Sequence, residues 1–475
     1  MDTESRINAL SRNLKTLSSD SPARRRVTKL FDEGTFVELD AFARTSGEGA
    51  GVVTGYGLID GAAAYIFSQD IEINSGAVDA IHAKKIKKVY ELASMTGLPV
   101  IGIYDSNGAL LDDMPGALAA YGEMILSANK ISGVVPQISL ILGTCAGSAA
   151  VAACGADLIV MSRDAEFFLN SPRIADNNGL GAPGAGTAEN AAKSGVVHLV
   201  ADGEDEAISK VRRLVACLPQ NNLSAVSDVE YAEPAGAVKA LRSACENIEN
   251  VAFSNLIKYI ADRHSFVGLS KDYGENAVVG FATILGVNAL IVGADGSLGI
   301  DECNKIAYYV NLADSFSIPV ITFVNTDGFS PSSEDELSGS LRHAAKLAHV
   351  YSHATTQKIA VITGKAYGSA YVALAGKSAG HDIVVAWPSA IISALQPSTA
   401  VAFIAGDRIT STKSREEVEA EYKITDASPF VYAAKAYIDR VIDPAETRQA
   451  VANALDMLTG KRVNLMSKKH SNIPL

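Results

Sequence analysis

Apolar residues along this chain follow two spacings: short β-branched runs of strand length, and longer stretches in which they recur with helical period. From Gly51 onward, apolar runs at 52–58 and 64–67 predict two strands. Ile81, Ile86, Val89 and Leu92 then mark one face of a helix over 78–95. The fully apolar run 99–104 predicts a buried strand, ending in the small polar loop Asp105-Ser106-Asn107-Gly108-Ala109. After a helix over about 116–129 comes the most informative stretch. Val135-Pro136-Gln137-Ile138-Ser139-Leu140-Ile141-Leu142 predicts a strand, Gly143-Thr144-Cys145-Ala146-Gly147 interrupts it, and an Ala-rich helix starts at Ser148. Further strands are expected at 156–161 and 166–169, a loop over 177–186, and a capped helix over 205–217.

The second half repeats this order. Gly368-Ser369-Ala370-Tyr371-Val372-Ala373-Leu374-Ala375-Gly376 answers Gly147-Ser148-Ala149-Ala150-Val151-Ala152-Ala153-Cys154-Gly155. Leu98-Pro99-Val100-Ile101 answers Ile318-Pro319-Val320-Ile321, and Lys85-Ile86 stands as far before Pro99 as Lys305-Ile306 does before Pro319. Val197-His198-Leu199-Val200-Ala201-Asp202 resembles Ile438-Asp439-Arg440-Val441-Ile442-Asp443. Strands are expected near 277–292, at 319–324 and at 359–363, with helices over 300–316, 334–353 and 369–378. The chain is read as a tandem duplication of one α/β unit, 1–235 and 236–475, with parallel sheet and outer helices.

The repeated joint carries a chemical implication. A buried strand feeding through small residues into a helix leaves the first helical N–H groups unpaired and converging, a suitable place for an oxyanion. Ser148 and Ser369 also invite a nucleophile reading, but neither has a base partner visible in the sequence. The motifs for P-loops, His-Glu-x-x-His metal sites and Gly-x-Ser-x-Gly elbows are absent. Eight dispersed histidines show no metal-ligand spacing from a carboxylate or cysteine, so no metal is expected. Asp112-Asp113, the one acidic pair near these loops, reads as a solvated turn, and Arg24-Arg25-Arg26 as a solvated helix face.

Composition narrows the classes. With 475 residues, 48% hydrophobic and 20% charged, the chain suits two large globular domains. A formal net charge of −12 leaves no basic surplus for nucleic acid. No apolar run approaches the ~20 residues that span a bilayer, and the polar start is unlike a secretory signal. Five scattered cysteines with no Cys-x-x-Cys pair suit a reducing, cytoplasmic setting.

On these residues the chain resembles the carboxyltransferase subunits of biotin-dependent acyl-CoA carboxylases and decarboxylases, especially the propionyl-CoA carboxylase β-chain type. The resemblance is carried by 25–38, by Asp105-Ser106-Asn107-Gly108-Ala109, and by 132–147. In the second half it is carried by Arg342-His343-Ala344-Ala345-Lys346-Leu347, Lys365-Ala366-Tyr367-Gly368-Ser369-Ala370-Tyr371, Ala386-Trp387-Pro388 and 437–444. It implies two crotonase-like (ClpP/crotonase) ββα-superhelix domains. By position, the N–H groups of Gly147 and Ser148 would hold the thioester oxygen of an acyl-CoA, and those of Ser369 and Ala370 the ureido oxygen of biotin. Asn107, Gly108, Ala109, Ala146, Gly368, Tyr371 and Val372 would line the substrate side, and Val372 points to a short or apolar acyl group.

The implied cofactor is biotin on a separate carrier protein or domain. The implied partners are a biotin carboxyl carrier protein with a biotin carboxylase or a membrane decarboxylase subunit, and further copies of the chain, as many as a hexamer. Carboxylation, decarboxylation by a sodium-pumping complex, a biotin-independent crotonase-like reaction and a silent structural subunit all stay open at this level. The chain departs from the family at Leu110, where an arginine is usual. It also departs at Ser148 and Ser369, where glycine is usual, at Leu395-Gln396-Pro397, and at Asn325-Thr326-Asp327-Gly328. A Gly→Ser exchange retains the N–H, and a helix N-terminus needs no bare backbone, so both turns can survive.

Overall fold

The hairpin that opens each half is set by its turn and by a carboxylate beneath it. In the computed structural model, which describes residues 2–17, 20–45, 48–226, 229–248, 251–464 and 466–474, Asp60 and Gly61 adopt φ of 48° and 81°. Two successive positive φ values are what a two-residue turn needs to match the strand twist. The Asp32 carboxylate accepts the Asp60 and Gly61 N–H groups at 3.1 and 2.9 Å. Arg212 donates to Asp32 at 2.9 Å and to the Leu30 carbonyl at 2.6 Å. The second half rebuilds this arrangement with the same residue types. Leu285 and Gly286 (φ 50° and 84°) donate to Asp262 at 3.0 and 2.9 Å, and Arg448 reaches Asp262 and the Ile260 carbonyl, both at 2.7 Å. The duplication therefore extends to these side chains, and Asp32-x-x-Thr35-Phe36-Val37-x-Leu39 is repeated as Asp262-x-x-Ser265-Phe266-Val267-x-Leu269.

By its contacts the chain divides into two units, Met1–Ala225 and Val226–Leu475. The sequence reading placed this boundary ten residues later. Residues 229–232 side with the second unit because the Val229 N–H donates to the Gly286 carbonyl and the Arg263 N–H to that of Ala232.

In the first unit an eight-stranded sheet runs in chain order through Val37–Leu39, Val52–Ile59, Ala62–Gln69, Val100–Ser106, Gln137–Ala146, Leu158–Ser162 and Leu199–Ala201. The first two pairings are antiparallel and the rest parallel. Glu166–Phe168 adds a parallel pairing to the far end of Gln137–Ala146. The crossovers carry helices, as parallel pairing requires. Ala80–Thr96 starts where Asp79 accepts the Ile81 and His82 N–H groups at 2.8 Å, and ends at Gly97 in the left-handed region. Met114–Lys130 starts at Asp113, which accepts the Gly116 N–H, so Asp113 caps this helix while Asp112 and Asp113 both stay exposed in the turn Leu111–Asp113. The second unit repeats the plan with Val267–Leu269, Ala277–Ile284, Val287–Leu298, Val320–Phe329, Lys358–Tyr367, Ile383–Ala386 and Arg440–Val441 in chain order, and Ile391–Ser393 pairing Lys358–Tyr367.

Each unit has its own core. Phe67, Ile86, Tyr104 and Met161 centre the first, and Phe253, Phe323, Trp387 and Leu455 the second. The expected helix over 334–353 is two helices, Ser333–Leu337 and Ser340–His353, because Gly339 turns at φ 87°. Helices Ala237–Glu246, Pro397–Ile404 and Arg415–Thr425 were not singled out by apolar spacing.

Candidate active site

In both units the strand that leads to the expected site is bent before it reaches it. Val100–Ser106 and Gln137–Ala146 pair in simple register from Val100↔Gln137 to Tyr104↔Ile141, and then the register jumps so that Ser106 faces Cys145. Leu142, Gly143 and Thr144 thus oppose the single residue Asp105, a β-bulge with two extra residues. The second unit has the same jump, from Val324↔Ile362 to Thr326↔Ala366, leaving Thr363, Gly364 and Lys365 opposite Asn325. Beyond each bulge the strand takes a new partner on its other side: Ala146 pairs with Phe168, and Tyr367 with Ser393.

Each strand then ends in a glycine of positive φ, Gly147 at 59° and Gly368 at 57°. At Gly147 ψ is −125°, a combination that a Cβ disfavours. An added Cβ there would find only the Leu169 carbonyl, 3.9 Å away, so conformation rather than crowding demands glycine. Helices Ser148–Cys154 and Gly368–Ala375 follow. The Val151 N–H, on Gly147 O at 3.1 Å, makes the first turn's bond.

One expected donor is already engaged. The Gly147 N–H donates to the Phe168 carbonyl at 3.0 Å, because the new strand pairing continues one residue into the turn. Aligning Gly147 with Gly368 makes Ser148 and Ala149 the counterparts of Ser369 and Ala370. Of the pair read from sequence, the Gly147 N–H is thus occupied by strand pairing, and Ala149 follows Ser148 as Ala370 follows Ser369. The first-turn N–H groups of Ser148 and Ala149, and of Ser369 and Ala370, have no helical carbonyl behind them.

The loop beside each turn is also duplicated. Gly108 and Gly328 have φ of 109° and 106°, and their N–H groups bond to Ser106 Oγ at 3.1 Å and Thr326 Oγ1 at 3.2 Å. Asn107 is exposed, and its N–H is held by the Ser75 carbonyl at 3.1 Å. Gly108 O and the Leu110 N–H both bond to Val78, which turns the Ala109 peptide to the opposite side of the loop. The Ser106↔Cys145 pairing sets this loop alongside Ala146 and the turn. Asp327, the counterpart of Asn107, forms an ion pair with Lys365 at 3.0 Å.

Titratable side chains around the turns are driven toward neutral, protonated forms. Burial raises the Cys145 thiol and the Tyr104 phenol well above their ordinary values. Burial, helped by Tyr432 and Tyr437, pushes Tyr371 up to about 12. No general base is prepared among these groups. Among the described residues, no group of three or more His, Cys, Asp or Glu could hold a metal ion, and no helix is long and apolar enough to cross a membrane.

Equivalent faces of the two helices border cavities. Ala150, Val151, Cys154, Phe168, Leu169 and Val196 line an apolar cavity of about 380 Å³. Tyr371, Val372, Lys377, Tyr432 and Tyr437 line one of about 330 Å³. Tyr371 and Val372, expected on the substrate side, thus share one wall, while Gln396 and Pro397 form the start of helix Pro397–Ile404.

Sequence reading missed the groups that hold the bulges. Arg26 is 4% exposed, not on a solvated face, and donates to Asp105 at 2.7 Å and also to Glu204. Its spacing from Ala23, Val27 and Leu30, on the buried face of Pro22–Leu30, was the available signal. Asn325 donates from Nδ2 to Asp295 Oδ1 at 2.8 Å and accepts the Lys365 N–H at 3.1 Å.

Two α/β units of one plan, each ending its central strand in a glycine-turned helix start, define a tandem crotonase-like fold of the carboxyltransferase type. The carboxyl transferase domain family matches residues 20–473, and the chain belongs to that family. Methylmalonyl-CoA decarboxylase subunit alpha of Propionigenium modestum is 35% identical over 96% of this chain and 94% of that protein. The propionyl-CoA carboxylase beta chain of Saccharopolyspora erythraea is 36% identical over 95% of this chain and 90% of that protein. The transcarboxylase 12S hexamer core, solved with methylmalonyl-coenzyme A and methylmalonic acid bound, is similar at a TM-score of 0.93 and 32% identity, covering 100% of this chain and 99% of that one. The chain is a biotin-dependent acyl-CoA carboxyltransferase of the carboxylase or methylmalonyl-CoA decarboxylase type.

Proposed function

We propose that this chain moves a carboxyl group between carboxybiotin and the α-carbon of a short-chain acyl-CoA, using one backbone turn for each reactant. The observation that supports this reading is the duplicated turn itself, two first-turn N–H pairs with no intrahelical acceptor, built on the same bulge and the same glycine. In the first unit the N–H groups of Ser148 and Ala149 bind the thioester oxygen and hold the negative charge that grows there when the α-carbon becomes nucleophilic. Asn107, Gly108, Ala109 and Ala146 flank the thioester. In the second unit the N–H groups of Ser369 and Ala370 bind the ureido oxygen of biotin, with Gly368 and Tyr371 beside it and Val372 limiting the acyl group. Biotin, when bound, supplies the nitrogen that carries the carboxyl group and accepts the α-proton. The surrounding Cys145, Tyr104 and Tyr371 stay neutral and do not compete for that proton.

Preformed N–H pairs of this kind lower a barrier by several kcal/mol, about 3–4 for each donor removed in comparable holes. The same turns serve both directions, since one transition state is reached from either side. We assign the carboxylase direction first and the decarboxylase direction second, with biotin on a separate carrier, a biotin carboxylase or membrane subunit as partner, and a homo-oligomer as the working form.

The test is carboxyl transfer by the purified chain from methylmalonyl-CoA or malonyl-CoA to free biocytin, followed by chromatography of the CoA products. Loss of the carboxyl group that depends on biocytin is the expected result. Loss without biocytin contradicts the two-reactant reading and indicates a biotin-independent decarboxylase.

A further inference from the structure

We infer that Asn325 and Asp295 act as positioning residues for the second turn, by holding the bulge that aims Ser369 and Ala370. This inference rests on the two-turn reading above and names what sets the geometry of one of those turns. The bulge leaves three residues, Thr363, Gly364 and Lys365, opposite one, so ladder hydrogen bonds between the strands are interrupted there. The Asn325 side chain fills the gap. Its Oδ1 accepts the Lys365 N–H at 3.1 Å, three residues before Gly368, and its Nδ2 donates to Asp295 Oδ1 at 2.8 Å. The other Asp295 oxygen accepts the Phe253 N–H at 2.8 Å, which anchors the arrangement to helix Phe253–Ile260. Gly364 is small because the Asn325 amide lies over it: an added Cβ would stand 2.3 Å from Asn325 Oδ1.

The first unit contains the same device in other chemistry, which argues that the place matters rather than one residue type. Asp105 stands at the corresponding point of the bulge, an added Cβ on Gly143 would stand 1.9 Å from its Oδ1, and buried Arg26 holds it at 2.7 Å. In both units the bulge lies three residues before the turn glycine, with no flexible segment between. A tilt of the bulge is therefore passed directly to the N–H pair. Misplacing a reacting group by about 1 Å costs about a hundredfold in rate.

The direction of the Asn325–Asp295 bond provides the test. Asn325→Asp sets two carboxylates against each other, while Asn325→Asp with Asp295→Asn reverses the pair. The reversed pair keeps an acceptor for the Lys365 N–H, an acceptor for the Phe253 N–H and one amide donor between the strands. Transfer to biocytin is measured for the parent, both variants and Ser369→Pro, giving kcat and each KM, together with the thermal midpoint of each protein. Asn325→Asp is expected to lower kcat about a hundredfold with the KM for acyl-CoA unchanged, and the double variant to return kcat close to the parent value. A folded Asn325→Asp protein with parental kcat, or a folded double variant as slow as the single one, overturns the inference. If Asn325→Asp does not fold, the double variant decides alone: parental kcat supports the inference and a hundredfold loss overturns it. Ser369→Pro separates the two levels. If it retains full transfer, the two-turn reading fails; if it loses transfer while Asn325→Asp does not, only the positioning role fails.

Discussion

Ser148→Pro lowers carboxyl transfer from acyl-CoA to biocytin about a hundred- to a thousandfold, with a thermal midpoint close to that of the parent chain. Proline removes one backbone donor and leaves the rest of the turn in place. Ser148 is the first residue of its helix, where the fixed φ of proline suits the backbone and no intrahelical N–H bond is lost. The residue before it is Gly147, which has no Cβ to clash with the proline ring. Ser369→Pro acts likewise in the second unit. Ser148→Ala is the decisive companion, because it deletes the hydroxyl and keeps the N–H. Transfer near the parental rate in Ser148→Ala, with loss in Ser148→Pro, assigns the chemistry to the backbone. Equal loss in both would assign it to a serine nucleophile.

The largest expected effect on stability comes from one added methyl group. Gly143→Ala destabilises the protein by about 3–5 kcal/mol, the cost of breaking a buried ion pair by displacing one partner. The added Cβ would lie 1.9 Å from Asp105 Oδ1 and 2.3 Å from its Cγ, so the carboxylate must move. Its partner Arg26 has a side chain only 5% exposed and would be left with Glu204 alone. The Asp105 side chain is itself only 9% exposed, so its carboxylate has little room to move aside. Urea unfolding followed by circular dichroism measures the difference. A shift smaller than about 1 kcal/mol, the ordinary effect of a single substitution, would show that the Arg26–Asp105 contact is not held against Gly143 as described.

Local order was largely legible in the sequence. The β-branched runs at 99–104 and 359–363, the Ala-rich starts at Ser148 and Ser369, and their repetition are each contained within a few adjacent residues, and they suffice for two α/β units. What stayed hidden depends on contacts between distant segments. Engagement of the Gly147 N–H is decided by Phe168, which pairs with Ala146 only after the bulge changes strand partners. Arg26 reads as one of three adjacent arginines until Asp105, far along the chain, is found beside it. Asn325 reads as a loop residue, yet its side chain replaces the ladder bond that the register jump removes. Asp32 under Asp60-Gly61 and Asp262 under Leu285-Gly286 are one device; the segments share Asp-x-x-Thr/Ser-Phe-Val-x-Leu, but the turn each carboxylate caps lies more than twenty residues further on, so the contact itself is not visible locally.

Division of labour between the two turns is the central claim, and binding of an enolate mimic tests it without turnover. A nitronate analogue of the acyl-CoA carries permanently the charge that the first turn is proposed to hold. Its dissociation constant, measured by calorimetry for the parent, Ser148→Pro and Ser369→Pro, should rise about a hundredfold in Ser148→Pro and stay unchanged in Ser369→Pro. Equal weakening in both variants, or weakening in Ser369→Pro alone, would contradict the assignment of one turn to each reactant.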